Sequence, residues 1–282
     1  MGEDGEFRLA ACVFEHMKQL QSDVQDAGHW PEGVAEFDFN QLGGVGFFPG
    51  AKGAYVGKGE QVKDIPVGGV MVLGHDWGTV KDYTDCLERD AENVGGNRTW
   101  DGMRKFFNNL KIDLSEIYFT NFFMGLREGA VSVGEFPGGG HPAAKNKTTY
   151  VDACRELVRM QIVTQKPKVL IVYGAHLPRL ISPLLENSGA IGWKQFQGFK
   201  DMDKKGTPLV AEVGFEFGRE THITTVVSLV HPCYRNRTAE HRSWKNDQGE
   251  LLHGDVAEKE MVLEAMRIAD RRLALRSPTM AS

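Results

Sequence analysis

The sequence predicts an α/β protein, a three-layer α/β/α sandwich on a central, mainly parallel four-stranded sheet. Three observations predict it. Four apolar runs, at residues 68–74, 117–120, 169–173 and 224–230, are too short for ordinary buried helices and rich in β-branched residues, as strands covered on both faces are. Between them lie stretches whose apolar residues recur at helical spacing, and such alternation builds a parallel sheet flanked by helices. No internal repeat and no interdomain linker divides the 282 residues. One domain over 1–282 is therefore expected, with a motif-bearing core at about 66–240 between N- and C-terminal helices.

Taken in order, residues 6–27 place Phe7, Leu9, Ala10, Val13, Phe14, Met17 and Leu20 on one helical face, ending before Gly28. Residues 41–59 carry seven glycines, Pro49 and the adjacent Phe47 and Phe48. A loop of that length is either functional or disordered. Its Gly57-Lys58-Gly59 lacks the Ser/Thr and upstream glycine spacing of a phosphate-binding P-loop. The first strand ends at Gly74; residues 84–93 read as a loop or short acidic helix. Trp100 to Leu110 is a helix with Met103, Phe106, Phe107 and Leu110 on one face, leading to the second strand and Asn121. After a loop at 129–147, Thr149 to Thr164 is helical, Lys166-Pro167-Lys168 breaks it, and the third strand ends at Gly174. A helix over 175–186 follows. Residues 192–222 are polar and irregular, with one candidate edge strand at Leu209–Val213, and the fourth strand ends at His231-Pro232. Val256 to Leu275 closes the chain as an amphipathic helix.

Composition narrows the function classes. With 41% hydrophobic and 25% charged residues the chain is ordinary globular protein, and no apolar run approaches a membrane span. Glu3, Asp4 and Glu6 suit neither a secretory signal nor an Arg-rich transit peptide. Cys12, Cys86, Cys154 and Cys233 lie too far apart for a zinc knuckle or a small disulfide framework. A cytoplasmic location is expected, nucleoid-associated if the source is bacterial. A net charge of −5 does not suggest a generic nucleic-acid binder, so any DNA contact needs a local basic patch.

The residues after the strands carry the chemistry: His75-Asp76, Asn121, Gly174 and His231. In an open parallel sheet all of these arrive at the carboxyl edge, where ligands bind. A carboxylate can orient water or stabilise positive charge, a histidine can polarise an oxygen, and an amide offers a donor and an acceptor to a heterocycle. Each has a plainer reading. Asp76 could cap the next helix, a strand-end His is usually structural, and Asn121 could turn the chain.

The four segments, in order, resemble the uracil-DNA glycosylase superfamily. Val70-Met-Val-Leu-Gly-His-Asp-Trp-Gly78 resembles its first motif, a strand leading into Gly-Gln-Asp-Pro-Tyr or Gly-Glu-Ala-Pro-Gly. Ile117-Tyr-Phe-Thr-Asn121 resembles the segment ending in Thr-Asn-Val, and Lys166-Pro-Lys-Val-Leu-Ile-Val-Tyr-Gly174 the Lys-Pro strand before Leu-Gly. Val230-His-Pro-Cys-Tyr-Arg-Asn-Arg237 resembles the second catalytic motif, His-Pro-Ser-Tyr with an Arg shortly after.

The resemblance implies a monofunctional glycosylase that hydrolyses the N-glycosidic bond of a uracil flipped out of DNA, leaving an abasic site. Asp76 would orient water and stabilise an oxocarbenium-like sugar. His231 would donate to uracil O2 as charge builds there. Asn121 would read the O4/N3 edge, the His75 backbone N–H would contact the base, and Trp77 would border it. Trp100, Phe47 and Phe48 are candidates to stack on it, with core packing as the alternative for each. Beside the resemblance, Arg235, Arg237, Arg242 and Lys245 against the single Glu240 form a basic segment that suits phosphate contacts, with Tyr234 or Arg235 as a wedge; a solvated charged loop is its plainer reading. The implied partners are uracil-containing DNA and free uracil as product, with no membrane, and the protein is expected to be a monomer. No cofactor and no metal are expected.

The chain departs from the family at three points. Gly78 stands where members that reject thymine often have Tyr, Trp77 replaces Pro, and Cys233 replaces Ser. The cysteines also lack the spacing that holds an iron–sulfur cluster in some branches. A non-catalytic nucleic-acid or nucleotide-binding protein of the same fold is the alternative. An unrelated α/β hydrolase finds no Gly-x-Ser-x-Gly elbow and no clustered metal ligands.

Overall fold

The run Val70–Gly74 forms a strand buried at all five positions, which requires strands on both its edges and helices over both its faces. The structure, a computed structural model, describes residues 8–36, 66–88, 98–131, 133–137, 147–188 and 191–276. In chain order the helices are α1 (Arg8–Asp26), α2 (Val80–Glu88), α3 (Arg98–Leu110), α4 (Lys147–Gln165), α5 (Leu177–Ile181), α6 (Ile191–Lys194), α7 (Phe199–Lys204), α8 (Arg235–Thr238) and α9 (Gly254–Arg276). The strands are β1 (Val34–Ala35), β2 (Val70–Gly74), β3 (Ile117–Asn121), β4 (Leu126–Arg127), β5 (Val169–Tyr173), β6 (Leu209–Phe217), β7 (Glu220–Leu229), β8 (Ser243–Lys245) and β9 (Leu251–His253).

The fold is a mixed α/β sandwich, and its sheet has five strands rather than four, in the order β3-β2-β5-β7-β6. The inner pairs are parallel, and β6 runs antiparallel to β7. The candidate edge strand at 209–213 is thus the start of a nine-residue strand that extends to Phe217. Its exposed residues are Ala211, Glu212, Gly214 and Glu216, small or charged, as an edge strand with one covered face should have.

Alternate strand residues enter two cores, following the two-residue period of a pleated strand. Met71, Leu73, Leu170 and Val172 face a cluster that includes Leu157 and Val158 of α4 and Val13 and Met17 of α1. Val70, Val72, Ile171 and Phe119 face Met103 and Phe107 of α3 and Met261 and Ala265 of α9. That alternation makes the three layers.

Several further pieces differ from expectation: the helix read at 175–186 is α5 followed by a 3-10 turn over Ser182–Ser188, and the stretch read as irregular at 192–222 holds α7 and most of α6. Of the stretch read as a loop or short helix at 84–93, residues 84–88 belong to the helix α2, which starts earlier, and 89–93 lie outside the described residues; Thr79 and Asp82 cap α2 reciprocally. The Asp82 amide donates to Thr79 Oγ1 at 3.0 Å, and the Thr79 amide to Asp82 Oδ2 at 3.2 Å. With Thr79 as the cap, Asp76 is released from that role. The β8–β9 hairpin is a further addition; its three-residue strands are too short to show a period.

Register lines up the strand ends. Gly74 pairs with Asn121, Leu73 with Val172, and Tyr173 with Leu229. His75-Asp76, Asn121, Gly174 and His231 therefore emerge at one edge of the sheet. No helix among the described residues is long and apolar enough to cross a membrane.

Candidate active site at the carboxyl edge of the sheet

A cavity of about 520 Å³ opens at this edge. Asp76, Asn121 and His231 all line it, with His75, Gly174 and Tyr234 around them. Strands β2, β3 and β7 thus bring together the three residues on which the predicted chemistry depends.

Asp76 is held from three sides. Its Oδ1 accepts from the Gly78 amide at 2.9 Å, and its Oδ2 accepts from His75 Nδ1 at 2.6 Å and Arg127 Nη2 at 2.8 Å. Burial alone would push this carboxyl up, but hydrogen bonds from His75 and Arg127, with their charges, outweigh burial and hold it well below the usual carboxylate range. It is an immobile anion whose side chain is 8% exposed.

His231 begins a short turn in which both hydrogen-bonding groups of Cys233 approach its Nδ1. The Cys233 amide donates to it at 3.4 Å, and the thiol sulfur lies 3.0 Å away. Burial pushes the Cys233 thiol up, so sulfur keeps its proton at neutral pH and can donate it. An accepting Nδ1 places the ring proton on Nε2. Burial is also the main cause that pushes His231 down to about 4, against the attraction of Asp76 and with the repulsion of His75. At neutral pH it is a neutral donor. Gly102 of α3 lets that helix approach the turn: a Cβ there would stand 2.8 Å from the Pro232 carbonyl oxygen. From the opposite side, Glu258 of α9 accepts the Val230 amide at 2.7 Å.

Because this histidine is neutral when folded and protonates near 6.5 when unfolded, it stabilises the fold fully above about pH 6.5. The contribution is lost progressively as pH falls toward about 4 and amounts to ~3 kcal/mol. Chemical denaturation at pH 7 and pH 4.5 measures it, and His231→Gln should flatten the difference.

Asn121 is 2% exposed, yet neither its Oδ1 nor its Nδ2 meets a hydrogen-bond partner among the described residues. A buried amide with both functions idle costs about 1–3 kcal/mol per unmet group. Such groups call for an explanation, and a ligand that completes them in the cavity is one.

The other predicted residues divide. His75 lies edge-on to Phe123 at 5.1 Å and tilted to His176 at 5.0 Å, and its ring serves Asp76. Trp77 lines the cavity, but its indole is 3% exposed and donates to the Phe123 carbonyl at 2.9 Å. Trp100 also lines the cavity; it is 2% exposed and packs edge-on to Phe119. Phe47 and Phe48 lie outside the described residues. Tyr234 is 49% exposed at the cavity wall, its ring 5.8 Å from His231.

The basic segment is largely turned inward. Arg235 is drawn under the surface, over the Phe106 ring at 4.1 Å, and ion-paired with Asp255 and Glu258. Arg242 is wholly buried between Asp203 at 3.0 Å and Glu258 at 2.6 Å. These two arginines hold the fold together and cannot grip phosphates; of the four cations, Arg237 and Lys245 are exposed.

Arg127 was not among the predicted site residues. It comes 51 residues after its partner Asp76, on a two-residue strand. Its one signal is its place directly after the apolar run Phe122-Phe-Met-Gly-Leu126, which draws a following residue inward. Gly78 also gains a reason. Its φ is +82°, and a Cβ would meet Asp82 Oδ2 at 3.2 Å, so a tyrosine here is strained by both backbone and neighbour. Among the described residues no group of three His, Cys, Asp or Glu could hold a metal ion. No protein-family model matches this chain, and no curated protein matches it.

Proposed function

We propose that the chain is a uracil-DNA glycosylase, hydrolysing the N-glycosidic bond of a uracil accepted into the cavity. The observation that carries this is Asn121, a buried amide whose donor and acceptor are both idle among the described residues, opening on the same cavity as Asp76 and His231. The N3–H and O4 of uracil offer the complementary pair. His231 Nε2–H would donate to O2 as negative charge grows on the departing base. Asp76, ionised and fixed, would stabilise the positive sugar and orient water.

The experiment is incubation with a uracil-containing oligonucleotide followed by alkali. Strand scission over many turnovers, absent with Asp76→Ala, supports the proposal; scission no greater than that control refutes it. His231→Ala should lower kcat by about 10²–10³, as loss of one preorganised donor does; unchanged rates remove it from the mechanism.

One observation favours the alternative, a binding protein of the same fold that lacks the chemistry. Every oxygen of Asp76 is engaged, and the Arg127 guanidinium opposes positive charge on a sugar nearby. Stoichiometric binding of uracil-DNA without released base would select that alternative.

The inward-turned arginines set an expectation for salt. With Arg237 and Lys245 exposed, this segment meets two phosphates, adding about −1.4 to the slope of log K against log salt on a single strand. The double variant Arg237→Gln, Lys245→Gln should lose that increment, whereas Arg235→Gln should lower stability and leave the slope unchanged. Titrations from 50 to 200 mM salt measure both.

A further inference from the structure

Besides Asp76, the Arg127 side chain holds a second piece of the cavity. Its Nη2 donates to the Gly134 carbonyl at 2.8 Å, and its Nη1 to the carbonyls of Glu135 at 3.0 Å and Val133 at 3.3 Å. The guanidinium lies 5.5 Å from the centre of the Phe136 ring, and the Arg127 amide donates to the Gly78 carbonyl at 2.9 Å. Val133 and Gly134 line the cavity, and Val133 is 60% exposed. One side chain, 4% exposed, therefore bonds the candidate carboxylate and three successive carbonyls of a cavity wall.

We propose that Arg127 is the positioning residue of this site, coupling the Asp76 carboxylate to the 133–136 strap so that displacing one loosens the other. The inference goes beyond the glycosylase reading, because it holds for any ligand that enters the cavity. A guanidinium suits the task where an ammonium does not. Its planar fork meets several oxygens at fixed angles, whereas a lysine offers one flexible point of charge. A ligand that pushes on Val133 or Gly134 pulls on the fork that holds Asp76, and neutralising Asp76 weakens the anchor of the strap. Coupling between two sites acts equally in both directions. The other titratable groups that act on Asp76 or are acted on by it are His75 beside it, His231 at the end of β7, Tyr150 of α4 and His176 before α5. Of these His75 alone hydrogen-bonds the carboxylate, so Arg127 is the link to the strap.

The test combines carbon-13 NMR of the Asp76 carboxyl with amide exchange at 134–136, on full-length protein and without ligand. In the wild type Asp76 should not titrate in the ordinary carboxylate range. In Arg127→Gln its midpoint should rise by about 1–3 pH units, and strap exchange should quicken by about tenfold, as lost charge-assisted hydrogen bonds imply. Arg127→Lys should keep the midpoint low while the strap still exchanges faster, which separates charge from fork. Asp76→Asn changes no strap residue and should also speed strap exchange. Strap exchange at the wild-type rate in Asp76→Asn overturns the coupling, as does an ordinary Asp76 midpoint in the wild type, which needs no variant to fold. Loss of glycosylase activity bears on neither readout, so failure of the proposed function and failure of the coupling are distinguishable.

Discussion

Asp76→Ala should reduce uracil release by about 10²–10³-fold, the scale on which charge stabilisation is lost from an active site, and should also cost stability. The two losses have different causes. Under the proposed function the first would come from the missing anion beside the sugar. The second comes from Arg127, whose guanidinium would stay buried with its charge uncompensated, a change that typically costs about 3–5 kcal/mol. A double variant, Asp76→Leu with Arg127→Met, should recover the part of the loss that comes from the uncompensated charge, while the carbonyls of Val133, Gly134 and Glu135, which then lack their donor, keep it less stable than the wild type. It should recover no activity. Denaturant melts and turnover on one uracil oligonucleotide measure both. If the double variant regained activity, Asp76 would be structural. The linkage with pH has a definite sign. The folded carboxyl sits below its unfolded value of 3.8, so its stabilisation is present above that pH and is lost as the pH falls below it. This loss follows that of His231, which occupies the window from about 6.5 to 4.

Asn121→Ala should move stability and binding in opposite directions. Among the described residues nothing meets the Asn121 amide, and its removal should stabilise the fold by ~1–3 kcal/mol. Affinity for the base should fall about 5–150-fold, since two neutral hydrogen bonds are lost at about 0.5–1.5 kcal/mol each. Thermal melting and binding of free uracil, measured on one preparation, check the pair. A residue that merely turned the chain would lose stability and leave binding alone. Such opposition between stability and function is common where a site holds groups that only a ligand satisfies.

Much of the fold was legible because burial on both faces leaves a plain record. Val70–Leu73 and Val169–Tyr173 are continuous apolar runs, and β2 and β5 follow them closely. The strand ends were legible for the same reason, since each run stops at a polar residue or glycine and parallel order sends all of them to one edge. Charge was not legible. Arg235 and Arg242 look like surface cations in the sequence, and the carboxylates that bury them, Asp203, Asp255 and Glu258, come from other elements. Pairing across the fold depends on distance in space, which a local pattern does not record. The same holds for Arg127 and Asp76. The idle state of Asn121 was equally hidden: the residue type offers a donor and an acceptor, and only the packing leaves both unmet.

The claim at the centre is that Asn121 reads a pyrimidine base. Titrating free uracil into protein with a nitrogen-15-labelled Asn121 side chain tests it without requiring turnover. The account predicts that the Asn121 amide resonances shift on saturation, and that Asn121→Leu binds no uracil. Uracil binding that leaves those resonances in place, or equal affinity in Asn121→Leu, would contradict it.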